Sequence, residues 1–220
     1  TYDRPADSGT DTGNYATWNP LVYSQGRTLS NGNLRTDSTT VSYVVMSQAT
    51  IPFPSTGKWG VKCTNVDGSS ASTISIGVVD ALYKYNDAAF IYGTAGYHNI
   101  MYIDNGAIYV NGSSHTTGKA TFQGAGEVVE TIVDMDAGTV TYYMDGATQG
   151  SYTIPTGYLN QSLFFVVEFG HSSGEIDADF GQNGYDPSDT VADTKTLASQ
   201  NLPAPTVTNP SLNVLPILYE

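Results

Sequence analysis

Positive charge is scarce in this chain. Eight lysines and arginines stand against 21 aspartates and glutamates, a formal net charge of -13 over 220 residues. Eight scattered cations on an acidic chain form no patch that would displace counterions from a phosphate backbone, so nucleic acid is excluded as a partner. Charged residues of both signs make up 13% of the sequence, about half of the roughly 25% usual in globular domains. Glutamate is scarce beside aspartate, 5 against 16. Glu, Lys and Arg are strong helix formers, and their shortage argues against long helices. Cys63 is the single cysteine, which rules out an intrachain disulfide and a cysteine-held metal. It reads as a small buried hydrophobe. No run of about 18 uncharged apolar residues occurs, so no insertion into a membrane is expected.

What the chain does have suits strands. Hydrophobic residues are 40%, with 16 tyrosines and 7 phenylalanines, enough to bury a core rather than remain disordered. Threonine (27) and tyrosine favour strands, while glycine (23), asparagine (14) and aspartate favour turns. Strand-like runs recur at 41–46, 58–66, 73–79, 89–93, 107–110, 128–136, 139–146 and 163–170. Trp59, Val61 and Cys63 alternate with Lys58, Lys62 and Thr64, the period-two signature of a sheet with one wet face. Leu163–Phe169 is apolar almost throughout and predicts a strand buried on both faces. Asn111-Gly112 and Asp145-Gly146 are positive-φ hairpin turns in form. No stretch keeps a helical period over three turns. The fold class is all-β, a two-sheet antiparallel sandwich, with Trp59, Val61, Ile74, Ile76, Val133, Val140, Tyr142, Phe165, Val167 and Phe180 in its core. Residues 1–15 read as a polar leader or linker, 16–186 as the sandwich, and 187–220 as an extended Pro-rich tail or a linker to a neighbouring domain. The opening on Thr1 within polar sequence suits a mature product or a piece of something longer.

Three segments carry a family resemblance: 57-GKWGVKCTNVDG-68, 127-EVVETIVDMDAGTVTYYMDGATQG-150 and 163-LFFVVEFGHSSGEIDADFGQNGY-185. The first resembles the early strand of SPRY domains, the second their most recognisable hairpin, and the third their closing hairpin, which ends here in Asp179-Phe180-Gly181-Gln182. The resemblance implies a concanavalin-like sandwich over about residues 57–185, binding partners through loops at one end or face. His171–Asp177 departs from the family's Tyr-Pro-aliphatic rhythm, so the surface of that hairpin cannot be carried over. The opening 18-WNPLVYSQGRTLSNGNLRT-36 and the tail 201-NLPAPTVTNPS-211 resemble SPRY-like modules of bacteriophage structural and fibre proteins.

Several residues invite chemistry. Glu175, Asp177 and Asp179 alternate on one strand, as in concanavalin-like β-glucan hydrolases that place paired carboxylates on one face. Asp179 is a methylene shorter than the Glu of such sites, and 179–182 already fits the SPRY closing strand. Asp134, Asp136 and Asp145 suggest calcium, but the spacing is not that of an EF-hand, and turn-forming roles explain Asp136 and Asp145. No metal or other cofactor is expected. His98, His115 and His171 stand apart and read as solvated loop residues. Tyr83, Tyr85, Tyr92, Tyr97 and Tyr102 lie in a Gly/Asn-rich region. They either pack into the sandwich or offer contact area at little entropic cost. Tyr83, Tyr85, Tyr92 and Tyr97, with His98, are the candidate binding residues. In the tail, Leu212, Val214, Leu215, Ile217 and Leu218 are more apolar than a free linker needs, and are the candidate assembly residues.

These observations lead to a non-enzymatic structural or adhesion module of a virus particle or appendage, located in the virion. Its partners would be other virion proteins or copies of itself, with a host-surface glycan or protein as a further ligand. A secreted or cell-surface carbohydrate-binding module and a glycan hydrolase centred on Glu175, Asp177 and Asp179 are the alternatives.

Overall fold

Alternating Trp59, Val61 and Cys63 on one strand, and Phe165, Val167 and Phe169 on another, supply two apolar faces that exclude water only by packing on each other. The computed structural model describes residues 15–22, 24–39, 44–68, 73–80, 98–157, 162–170 and 174–198. Among them are fourteen strands and no α-helix: β1 (Arg27–Ser30), β2 (Arg35–Ser38), β3 (Val44–Gln48), β4 (Lys58–Asn65), β5 (Thr73–Asp80), β6 (Asn99–Ile103), β7 (Ile108–Val110), β8 (Ser113–Thr116), β9 (Val128–Asp134), β10 (Thr139–Met144), β11 (Ala147–Thr153), β12 (Leu163–Gly170), β13 (Gly174–Asp179) and β14 (Thr194–Thr196). One sheet runs β1-β2-β13-β4-β9-β10-β11, with β14 also on β4, and the other runs β3-β12-β5-β6-β7-β8. Every pairing is antiparallel except β14 with β4. This is the expected sandwich.

All ten residues expected in the core are buried. Aromatic rings join the two sheets: Trp18 stacks on Phe165 of β12 and meets Phe180, just past β13, edge-on. Tyr142 of β10 reaches across to donate its hydroxyl to the Ile100 carbonyl of β6 at 2.7 Å. Gly77 of β5 makes room for that reach, because a Cβ there would lie 2.1 Å from the Ile100 oxygen and 2.8 Å from the Tyr142 hydroxyl. β12 is buried on both faces as its composition predicts. Its Val166 joins Met46, Val79, Met101 and Ile103 in a second apolar layer on the far side of the six-stranded sheet.

Three expectations change, and one left open is decided. The closing hairpin is no hairpin, since β12 and β13 lie in different sheets: one apolar face of each strand is needed on opposite sides of the core. Tyr102 is a core residue of β6, packed on Phe122 and Tyr142. The turn after β9 is capped by Asp134, which accepts from the Asp136 and Ala137 amides at 3.1 and 2.8 Å. An Asx carboxylate bonds amides two residues ahead, so the turn-forming acid is Asp134 rather than Asp136. The segment 187–198, read from sequence as part of the tail, begins with a 3-10 turn at Pro187–Asp189 and continues into β14. There β14 pairs with Lys58–Gly60 while β13 pairs with Lys62–Asn65, end to end along the same edge of β4.

Phe165→Ala is expected to cost about 3–5 kcal/mol in urea denaturation, through the cavity left between the sheets. Unchanged stability would mean that Phe165 does not hold the sheets together.

Candidate binding cleft

The outward positions of β13 carry Glu175, Asp177 and Asp179, on one face as the alternation predicts. Their cross-strand neighbours decide what they do. Asp177 faces Arg35 of β2 on one side and Thr64 of β4 on the other. Arg35 donates both Nε and Nη2 to the Asp177 carboxylate at 2.6 Å, and its Nη1 pairs with Glu175. The hydrogen bonds to Asp177, then the charges of Asp177 and Glu175, drive the guanidinium pKa up, so the arginine stays charged. Asp179 lies across from Lys62, with Lys62 Nζ 3.8 Å from its Oδ2. The other oxygen of Asp179 accepts from the Gly181 and Asn183 amides at 2.8 and 3.3 Å, which curls the chain back over β4.

That returning chain roofs part of the sheet. Tyr185 donates its hydroxyl to Glu130 of β9 at 2.5 Å, and its ring lies 5.2 Å from Lys62 Nζ, a cation–π contact. Burial, and then Glu130, push the tyrosine pKa up. Pro187 rests on Gly60, where a Cβ would come within 2.4 Å of the proline ring. Beside the roof the face stays open as a cleft of about 250 Å³, lined by Asn31, Lys62, Thr64, Asp177, Asp179 and Asn183.

Asn31 reaches the cleft from the β1–β2 turn. Asn31, Gly32 and Asn33 all take positive φ, at 52°, 65° and 63°, a conformation asparagine and glycine tolerate best. The turn is held from within: Trp18 donates its backbone amide to the Asn33 carbonyl at 2.8 Å and its indole N–H to the Leu34 carbonyl at 2.9 Å. Sequence reasoning passed over Asn31 and Asn183. Their one visible signal is the placement of asparagine beside glycine in Asn31-Gly32-Asn33 and Asn183-Gly184.

Of the candidate binding residues, His98 is described: its Nδ1 lies 2.5 Å from Asp80 Oδ2 at the end of β5, so it is a paired residue rather than a solvated loop histidine. Tyr83, Tyr85, Tyr92 and Tyr97 lie outside the described residues, as do His171 and the candidate assembly residues Leu212, Val214, Leu215, Ile217 and Leu218. His115 on β8 packs edge-on against Tyr152. Asp145 takes positive φ (46°) in the β10–β11 turn, and its carboxylate accepts from the Val128 amide of β9 at 2.9 Å, a cross-strand bond.

A two-sheet antiparallel sandwich with this connectivity has a SPRY-like fold. Among solved structures, the SPRY domain of human HERC1 superposes with a TM-score of 0.57 at 16% identity, over 73% of this chain and 96% of that one. The TRIM65 PSpry domain gives 0.55 at 12% identity over 75% and 89%. Stonustoxin gives 0.56 at 16% identity over 75% of this chain and 27% of the toxin. No family model and no curated protein matches the sequence.

One carboxyl away from the cleft titrates abnormally. Asp104, past the end of β6, is 2% exposed, and one of its oxygens has no hydrogen-bond partner. Burial pushes its pKa up to about 6, against hydrogen bonds from the Ile74 and Asn105 backbone and the Gln123 side chain. Between about pH 4, where an unfolded Asp ionises, and pH 6 the folded chain keeps a proton that the unfolded chain has lost. Stability from this group therefore falls as pH rises through that window. Asp104→Asn is expected to remove that fall, so the two stability–pH curves diverge by up to about 1.4 kcal/mol per pH unit there. Urea denaturation at pH 4.5 and 7 checks this, and parallel curves would contradict it.

Arg35→Met leaves Glu175 and Asp177 as unpaired neighbours. The site is one-third exposed on both sides, so screening keeps the expected loss to about 1 kcal/mol at low salt. Thermal denaturation at low and high salt reads it, and the loss is expected to shrink as salt rises.

Proposed function

We propose that this protein is a non-enzymatic binding module, a structural or adhesion component of a virus particle or appendage that uses its SPRY-like sandwich for protein or glycan contacts. The observation that carries the non-enzymatic part is Arg35. A hydrolytic pair needs one carboxyl protonated to act as the acid and the other free to attack. Arg35 binds Asp177 through two nitrogens and Glu175 through a third, so both carboxyls are tied to one guanidinium instead of standing free on either side of a substrate bond. Asp179, the third of the set, is engaged by two backbone amides.

The fold supports the binding reading, since the neighbours it resembles include SPRY domains. The viral setting rests on the likeness of 18–36 and 201–211 to phage structural modules. Leu212, Val214, Leu215, Ile217 and Leu218 are proposed to contact a neighbouring subunit or domain. The test has two arms. Peptides of this chain are expected, by mass spectrometry, in particles purified from a culture that carries its gene. Recovery solely from the particle-free medium would overturn the virion reading in favour of a secreted carbohydrate-binding module. The purified chain is expected to show no turnover of β-glucans, and turnover abolished by Glu175→Gln would overturn the non-enzymatic reading.

A further inference from the structure

We propose that the cleft between the β1–β2 turn, β4 and β13 binds a neutral, hydroxyl-rich ligand, one sugar unit of a glycan. The inference deepens the binding-module reading by naming a site and a ligand class, and it does not depend on where the module is mounted.

The lining itself makes the selection. Asn31, Thr64 and Asn183 line the cleft, and their side chains make no hydrogen bond to any described residue. Two amides and one hydroxyl thus both donate and accept. Beside them, Asp177 and Asp179 are acceptors already oriented by their partners, Arg35 for the first and the Gly181 and Asn183 amides for the second. A carboxylate has about four lone-pair positions, so each keeps acceptor capacity toward the cleft. Lys62 adds donors from the adjacent strand β4, held between Asp179 and the Tyr185 ring.

Other ligand classes fit worse. An anion would meet two carboxylates. A cation would meet Lys62, and the carboxylates it would seek are already compensated by Arg35 and Lys62. An apolar peptide anchor needs a desolvated apolar pocket, and this lining is almost entirely polar. Hydroxyl groups, each a donor and an acceptor, match the mixed lining. The size agrees, since about 250 Å³ lies just under the roughly 300–1,000 Å³ of pockets that enclose drug-sized ligands. The cleft is also built before the ligand arrives: Trp18 pins the backbone that carries Asn31, and Asp179 pins the backbone that carries Asn183. Ordering those side chains on binding therefore costs less.

The experiment is a calorimetric titration of the full chain with neutral gluco-, manno- and galacto-oligosaccharides, with sialyllactose as an acidic control. At least one neutral sugar is expected to bind, and Thr64→Val combined with Asn183→Ala is expected to weaken it by about tenfold or more, from two lost hydrogen bonds. Both substitutions are outside the core, and an unchanged melting temperature shows that the variant is folded. Asn31→Gly, which keeps the positive φ while removing the side-chain amide, provides a second reading of the same loss. Binding of no neutral sugar, binding that both variants leave intact, or preference for the acidic sugar would each overturn the proposal. Failure here leaves the particle reading standing, because that reading is tested by particle composition.

Discussion

The seating of Trp18 is the constraint on which the rest of the structure depends. Its side chain is completely buried, stacked on Phe165 of one sheet and set edge-on against Phe180 of the other strand layer. A buried indole needs a partner for its N–H, and it finds the Leu34 carbonyl. Its backbone amide takes the carbonyl of the preceding Asn33. One residue therefore ties the N-terminal segment, the β1–β2 turn and both sheets together. The positive-φ turn at Asn31–Asn33 is tolerated because these bonds hold it in place. Asn31 stands at the cleft as a consequence of core packing.

The two sheets spend their outer faces differently. On the six-stranded sheet the outward positions are buried and mostly apolar, as at Met46, Val79, Met101, Ile103 and Val166, with the buried Glu168 among them accepting from the Ser75 hydroxyl at 3.0 Å. The outer face of the eight-stranded sheet carries a ladder of opposed charges from Arg35 through Asp177 and Asp179 to Lys62 and Glu130. A sheet face that remains wet must satisfy its charges locally, and cross-strand pairing does so at short range. Where the ladder is roofed by Tyr185 and Pro187 it is closed, and where the roof ends the polar groups of the cleft are left facing solvent. The same alternation that builds the core thus creates the candidate site.

Much of this was legible in the sequence, for a physical reason. Period-two alternation reports which side of a strand is dry, so Trp59, Val61, Val140, Tyr142 and Phe165 could be placed in the core directly, and the Asn111-Gly112 and Asp145-Gly146 pairs do take positive φ at both positions. The shared face of Glu175, Asp177 and Asp179 was legible too. Sheet membership was not, because alternation says that a strand has a dry side but not which sheet it joins. That is why β12 and β13 looked like a hairpin. The parallel β14 was hidden because Thr194-Lys195-Thr196 is three residues long and borrows its hydrogen bonds from β4. The cleft was hidden because Asn31, Thr64 and Asn183 are far apart in the chain. Arg35, which engages the acidic strand in charge pairing, lies 142 residues from Asp177.

We place ligand binding in the cleft that the Trp18-pinned turn, β4 and β13 create. The most direct measurement is amide chemical-shift mapping of the full chain with a bound neutral oligosaccharide. The amides of Asn31, Lys62, Thr64, Gly181 and Asn183 are predicted to move together, with β5 and β6 unaffected. Shifts concentrated instead at Asp80, His98 and the chain between them would place binding at the tyrosine-rich connection and contradict the account.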